Sequence, residues 1–139
     1  MTTRPVMTPF ALFLVACMAL GGGCARVEKE KKARGLEAAV TAYGNSLRWT
    51  YYDTALGYLH PSYRNATPEQ LKNVRVTSYE VVQPPLLTDE EQTRAEQVVQ
   101  IEYVLRDEQV VRTLADRQDW RYDAQTKNWW LYSGAPVFR

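Results

Sequence analysis

The residues best placed to do chemistry share one alternating stretch, Val110–Asp123. Its odd positions Thr113, Arg117, Asp119, Arg121 and Asp123 are polar. Its even positions read Val110, Arg112, Leu114, Asp116, Gln118, Trp120 and Tyr122. Side chains alternate faces along a strand, so simple alternation aims Arg112, Asp116 and Gln118 to the same side as Trp120 and Tyr122. A few polar groups among aromatics is the composition of a small-molecule pocket. The plainer alternative is a bend that breaks the parity, sends Asp116 and Gln118 to solvent and keeps Trp120 and Tyr122 in the core. Fourteen residues at about 3.3 Å each would run to roughly 46 Å if straight, too long for a chain of this size. A bend or bulge is therefore expected, and Ala115–Gln118 is the place this reading gives it.

Other reactive types are sparse. His60 is the single histidine and precedes Pro61. No carboxylate orienter or nucleophile stands at a recognisable spacing from it. Its simpler role is at a helix C-terminus, against the last carbonyls. One histidine and scattered carboxylates make no metal site. No catalytic set is complete, and no cofactor is implied. Trp129 and Trp130 are adjacent, so on a strand they point to opposite faces. The outward one either marks a partner surface or lies under the tail Gly134–Arg139.

The start of the chain is an export signal: Arg4, an apolar run from Phe10 to Leu20, then Gly21-Gly22-Gly23-Cys24. The run is shorter than the roughly 20 residues a membrane span needs, so cleavage is expected. The small residues before Cys24 resemble the lipobox of bacterial lipoproteins, in which the cysteine is acylated and becomes the new N-terminus. Leu20 lies four residues before Cys24, where that pattern prefers three. Leu14-Val15-Ala16-Cys17 is the alternative attachment site, and an ordinary secretory signal with a bystander cysteine is the third reading. The resemblance implies a stable membrane anchor, because two or three acyl chains hold where one binds marginally. Ala25 in place of an aspartate points to the outer membrane, facing the periplasm.

Cleavage of residues 1–23 from the 139 leaves 116, enough for one domain with a modest core. Arg4 leaves with them, so the 17 basic and 16 acidic residues become 16 and 16. A balanced charge argues against a nucleic-acid partner, which demands a basic stripe. Residues 24–34 are dense in charge of both signs and read as a solvated tether; residues 35–139 read as a single domain. Leu36, Ala39, Val40, Tyr43 and Leu47 fall at helical spacing, and Tyr52, Ala55, Leu56 and Leu59 give a second helix that stops before Pro61. Thr67-Pro68-Glu69-Gln70 is a capping-box start for a short turn through Lys72. Asn73–Val82 reads as a strand ended by Pro84-Pro85, with Arg75, Thr77, Tyr79 and Val81 on one face. From Arg94 onward come three more strands. In the first, Val99, Ile101, Tyr103 and Leu105 share a face, and the last is Asn128–Ser133.

Two helices, the stretch Trp49–Pro61, then a long meander closing with Trp120-Arg121-Tyr122-Asp123 and Asn128-Trp129-Trp130-Leu131 resemble the nuclear transport factor two-like superfamily over residues 33–133. The resemblance implies an α+β cone, with N-terminal helices packed on a strongly bent antiparallel sheet and a pocket at its wide end. It brings two kinds of relative. Some are isomerase- and dehydratase-like enzymes, whose aspartate base and oxyanion donors are not placed on this sequence; a site of that type here would draw on Asp116, Arg112 and a pocket tyrosine to take a small apolar ligand. Non-catalytic members bind or scaffold other proteins, and this is the leading expectation, with an envelope protein as partner. Cone-shaped relatives also form homodimers through the outer sheet face.

Overall fold

A computed structural model describes residues 21–139. Residues 1–20 of the stretch read as an export signal, with Phe10–Leu20 and Cys17, lie outside the described residues. The rest is α+β: one long helix packed on a curled four-stranded antiparallel sheet.

Helix α1 spans Gly21–Arg48, so the charged stretch read as a tether is helical. Alanine, glutamate, lysine and arginine are strong helix formers. Arg26, Glu30 and Arg34 add weak surface pairs at i,i+4 spacing, 3.6 and 3.7 Å apart. The helix is held from outside as well, because the Trp129 indole N–H donates to the Lys32 carbonyl at 2.9 Å. It ends at Thr50, whose φ of 62° is left-handed. There the Thr50 N–H bonds the Leu47 carbonyl and the Tyr51 N–H the Ser46 carbonyl, the pair of a Schellman turn. Helix α2 is Tyr52–Leu56, shorter than its apolar spacing suggested. Beyond Gly57 the chain extends, and Leu59 bridges in parallel to Leu131. Helix α3, Pro68–Leu71, has the expected capping box between Thr67 and Gln70.

The strands are β1 (Val74–Leu87), β2 (Arg94–Leu105), β3 (Val111–Asp123) and β4 (Asn128–Leu131), paired in chain order. Strand β3 pairs with β2 from Arg94↔Arg121 to Val104↔Val111 without a register shift. The bulge expected at Ala115–Gln118 is therefore absent, and parity holds along β3. The irregularities fall in β1, at three places: between Val76 and Ser78, Val81 and Gln83, and Gln83 and Leu86. Each inserts a residue and bends the strand. This is how β1 runs on through Pro84-Pro85, which were expected to end it: an edge strand accepts prolines at bulges. The first bulge also reverses the facing of the residues that follow it, up to the second bulge after Val81. Val76 pairs with inward Tyr103, Ser78 with outward Glu102, and Tyr79 with inward Ile101. Tyr79 thus leaves the face of Arg75 and enters the interior.

The core lies between α1 and the sheet. Leu36, Tyr43 and Leu47 face Val99, Ile101, Trp120 and Leu131, all buried. After β4, Gly134 adopts φ 79°. The Asn65 side chain accepts from the Ala135 N–H at 2.7 Å and donates to its carbonyl at 3.1 Å. The tail then crosses Tyr103. Its hydroxyl donates to the Arg139 carbonyl at 2.7 Å, and Phe138 meets its ring edge-on.

Candidate functional site on the inward face

Unbroken parity in β3 puts Asp116, Gln118, Trp120 and Tyr122 on the side of α1. Gln118 and Trp120 are fully buried. The Gln118 carboxamide is saturated: its Oε1 accepts from Gln97 Nε2 at 2.5 Å and Trp120 Nε1 at 3.1 Å. Its Nε2 donates to Asp116 Oδ2 at 2.8 Å and to the Tyr79 hydroxyl at 3.0 Å. Trp120 Nε1–H is a donor only, which fixes which end of the amide is oxygen.

Two tyrosines flank the carboxylate. Burial, then the charge of Asp116, then Tyr79 push the Tyr43 hydroxyl well above the ordinary tyrosine value. Tyr43 packs edge-on against Trp120 at 5.6 Å, and its hydroxyl has no partner among the described residues. Burial likewise raises Tyr79, with the Gln118 hydrogen bond opposing and Asp116 adding. Tyr79 lies so close to α1 that a Cβ on Gly44 would stand 2.6 Å from its ring. Desolvation raises the Asp116 carboxyl, against the lowering effect of the Gln118 hydrogen bond. None of the described ion pairs includes Asp116.

Arg112 shares the parity of Asp116 but not its neighbourhood. It pairs with Glu108 in the β2–β3 turn, and four residues of strand put it about 13 Å from Asp116. Tyr122 is half-buried, with the Lys32 ammonium 5.3 Å from its ring centre. Trp129 faces inward and is buried, tied to Lys32. Trp130 faces outward and is half-buried, with the His60 ring 6.2 Å away. His60 departs from the expected role at a helix C-terminus: its Nδ1 accepts from the Ser62 N–H at the start of the turn Pro61–Tyr63, and its ring stacks on Tyr132 at 4.6 Å. Tyr132 also carries the Arg121 guanidinium at 4.4 Å. Below it, burial raises Asp119, but hydrogen bonds from Arg121 and Arg94 outweigh that and hold it low.

Cys24 is exposed on the first turns of α1. Among the described residues no three metal-ligating side chains cluster, and no helix is long and apolar enough to cross a membrane.

Sequence reasoning missed Tyr43, Tyr79 and Gln97 as polar members of this interior. Gln97 was readable, since it shares the odd parity of Val99 and Ile101. Tyr79 was not, because nothing in the alternation marks the extra residue at Thr77.

What the arrangement offers chemically is a half-buried carboxyl of raised proton affinity between two hydroxyls, on a sealed amide that fixes its orientation. The class defined by these observations is a helix on a curled antiparallel sheet with a polar interior network. No protein-family model and no curated protein matches the chain.

Proposed function

We propose that the chain is a lipid-anchored envelope protein with a non-catalytic binding or scaffolding role, built on a cone of the nuclear transport factor two-like kind. The supporting observation is that the inward polar residues nearest the carboxyl are tied to one another through Gln118. Gln118 spends both ends of its amide on Gln97, Trp120, Asp116 and Tyr79, and Gln118 and Trp120 are wholly enclosed. A reacting group needs access to its substrate, and Arg112, the cation such a site would use, is paired to Glu108. The apolar run before Cys24, and the exposure of Cys24 itself, support the anchor.

The test has two arms. Cells expressing the full chain are fed an alkyne-tagged fatty acid, with Cys24→Ser and Cys17→Ser as variants. Labelling lost in Cys24→Ser alone supports anchoring there; labelling in neither protein, or lost only in Cys17→Ser, rejects it. Crosslinking in intact cells then reads the scaffolding role, and recovery of only free monomer from a fully extracted envelope counts against it.

A second reading, an isomerase- or dehydratase-like site, is favoured by the Tyr43–Asp116–Tyr79 grouping alone. It requires small apolar ligands to shift the titration of the Asp116 carboxyl, observable by NMR of carbon-labelled aspartate. An unmoved titration across a panel of such ligands removes it.

A further inference from the structure

We infer that the groove between α1 and β1 binds a single-chain fatty acid carrying a hydroxyl group. The bulged half of β1 does not close onto α1. A cleft of about 490 Å³ opens beside Gly44 and Thr77, and one of about 430 Å³ lies toward Ala33 and Pro85. Val40, Thr41, Val81 and Gln97 line both, so the two are one groove. From Ala33 to Arg48 it follows about 22 Å of helix, and each part falls in the size range of small-molecule sites.

The two ends differ in chemistry. Toward Ala33 the walls are Leu36, Val40, Val81, Pro85 and Leu87, with Glu37 the one charged residue. Toward Arg48 they are Asn45, Thr77 and Ser78. The Arg48 guanidinium donates to the Val76 carbonyl at 3.1 Å and lies 5.4 Å from the Trp49 ring. None of the described ion pairs includes it. An acidic head therefore belongs at Arg48 and an acyl tail along Val81 to Leu87. Glu37 opposes the reversed pose by like charge.

The wall itself points to the hydroxyl. Gln97 is 1% exposed, and with Nε2 committed to Gln118 its carbonyl Oε1 has no partner. It lines the middle of the groove, where the two clefts overlap. A buried acceptor left unpaired is costly, and a ligand hydroxyl placed there would supply the missing donor. Thr77 Oγ1, also without a partner, lines the polar end and can donate to the acid.

The groove is independent of lipid on Cys24, and a Cys24→Ser background keeps the two questions apart. The full chain in phosphatidylcholine vesicles is photocrosslinked with a diazirine palmitate, with β-hydroxypalmitate, palmitate and hexadecanol as competitors. Crosslinks are expected on the peptides covering residues 33–48 and 77–87. β-Hydroxypalmitate should compete about tenfold better than palmitate, the factor one added hydrogen bond typically confers, and hexadecanol least well. Thr41→Trp fills the groove and Val81→Glu puts a charge on its apolar wall; both positions are exposed. Each should cut crosslinking about tenfold while leaving the thermal melt in place, and Gln97→Leu should erase the preference for the hydroxyl. Crosslinks confined to residues 24–32, crosslinking unchanged in both groove variants, or equal competition by all three lipids would overturn the assignment.

Discussion

Gln118 is a single amide on which four side chains depend, and its replacement tests whether the interior polar network is structural. Gln118→Leu keeps the approximate volume but leaves Trp120 Nε1–H, the Gln97 amide and Asp116 without their described partner. Orphaning buried groups costs about 1–3 kcal/mol each, so a loss of about 3 kcal/mol is expected in urea unfolding. A loss under about 1 kcal/mol would mean these groups find other partners. Asp116 should behave in the opposite sense. Its native carboxyl is raised above the ordinary 3.8, so over that interval the folded chain holds a proton the unfolded chain has released. Its contribution is full below 3.8, falls as pH rises through the native value, and stays low beyond it. Asp116→Asn removes the dependence while keeping an acceptor for Gln118. The variant should be the more stable protein at neutral pH, its advantage shrinking as acid is added. Comparing it with the parent at each pH isolates Asp116 from Asp89, Asp119 and Asp123, whose lowered values drive the opposite trend. A neutral-pH loss on Asp116→Asn would show that the charged carboxylate is favoured in place.

At the scale of elements, the bulges of β1 decide what faces α1, and two glycines on that helix report it. Gly35→Ala sets a Cβ 3.5 Å from Trp129, an ordinary contact. It should therefore gain up to about 1 kcal/mol of helix propensity. Gly44→Ala gains the same propensity but drives a Cβ to 2.6 Å from the Tyr79 ring. That ring is tied to Gln118 and cannot easily retreat, so overpacking of about 1–3 kcal/mol should dominate. The pair is read by thermal melts; equal effects would mean Tyr79 does not lie on Gly44. These residues also show which features the sequence disclosed. Trp120 and Tyr122 were legible as inward with or without a bend, whereas Asp116 and Gln118 hung on whether β3 bulged, and period-two counting holds for them because β3 meets β2 with no shift. Tyr79 was illegible because one inserted residue reverses the facing of those that follow it, and an insertion leaves no mark on the pattern. The prolines looked like a stop because alternation says nothing of edges and bulges. The first three turns of α1 were hidden for another reason: they have no apolar stripe, and what fixes them is Trp129, 97 residues away.

That distant tie governs how the whole molecule meets anything at its N-terminus. Residues 23–31 are exposed throughout, and a helix of that length is marginal in water by itself. Its continuation to Arg48 and the clamp at Lys32 are what it leans on. Lys32 joins β4, the β1–β2 turn and β3, through its carbonyl to Trp129, its ammonium to the Glu91 carbonyl, and its position over Tyr122. Hydrogen exchange on the full chain should therefore divide α1 in two. Amides before Lys32 should exchange with modest protection, while those from Leu36 to Leu47, whose stripe is buried, should approach the protection of the sheet. Trp129→Phe keeps a ring in the core but deletes the donor, at about 1 kcal/mol. Its effect should be local: about fivefold or greater acceleration at residues 24–34, with Leu36–Leu47 unchanged. Uniform protection across the helix, or a variant that loosens both halves alike, would mean that the packed stripe and not the indole clamp carries the exposed turns. If the clamp does hold, the twelve helical steps from Cys24 to Leu36 form a strut of about 18 Å. A group attached at Cys24 would then stand at a fixed distance from the sheet, and weakening Trp129 would turn that fixed spacing into a flexible one.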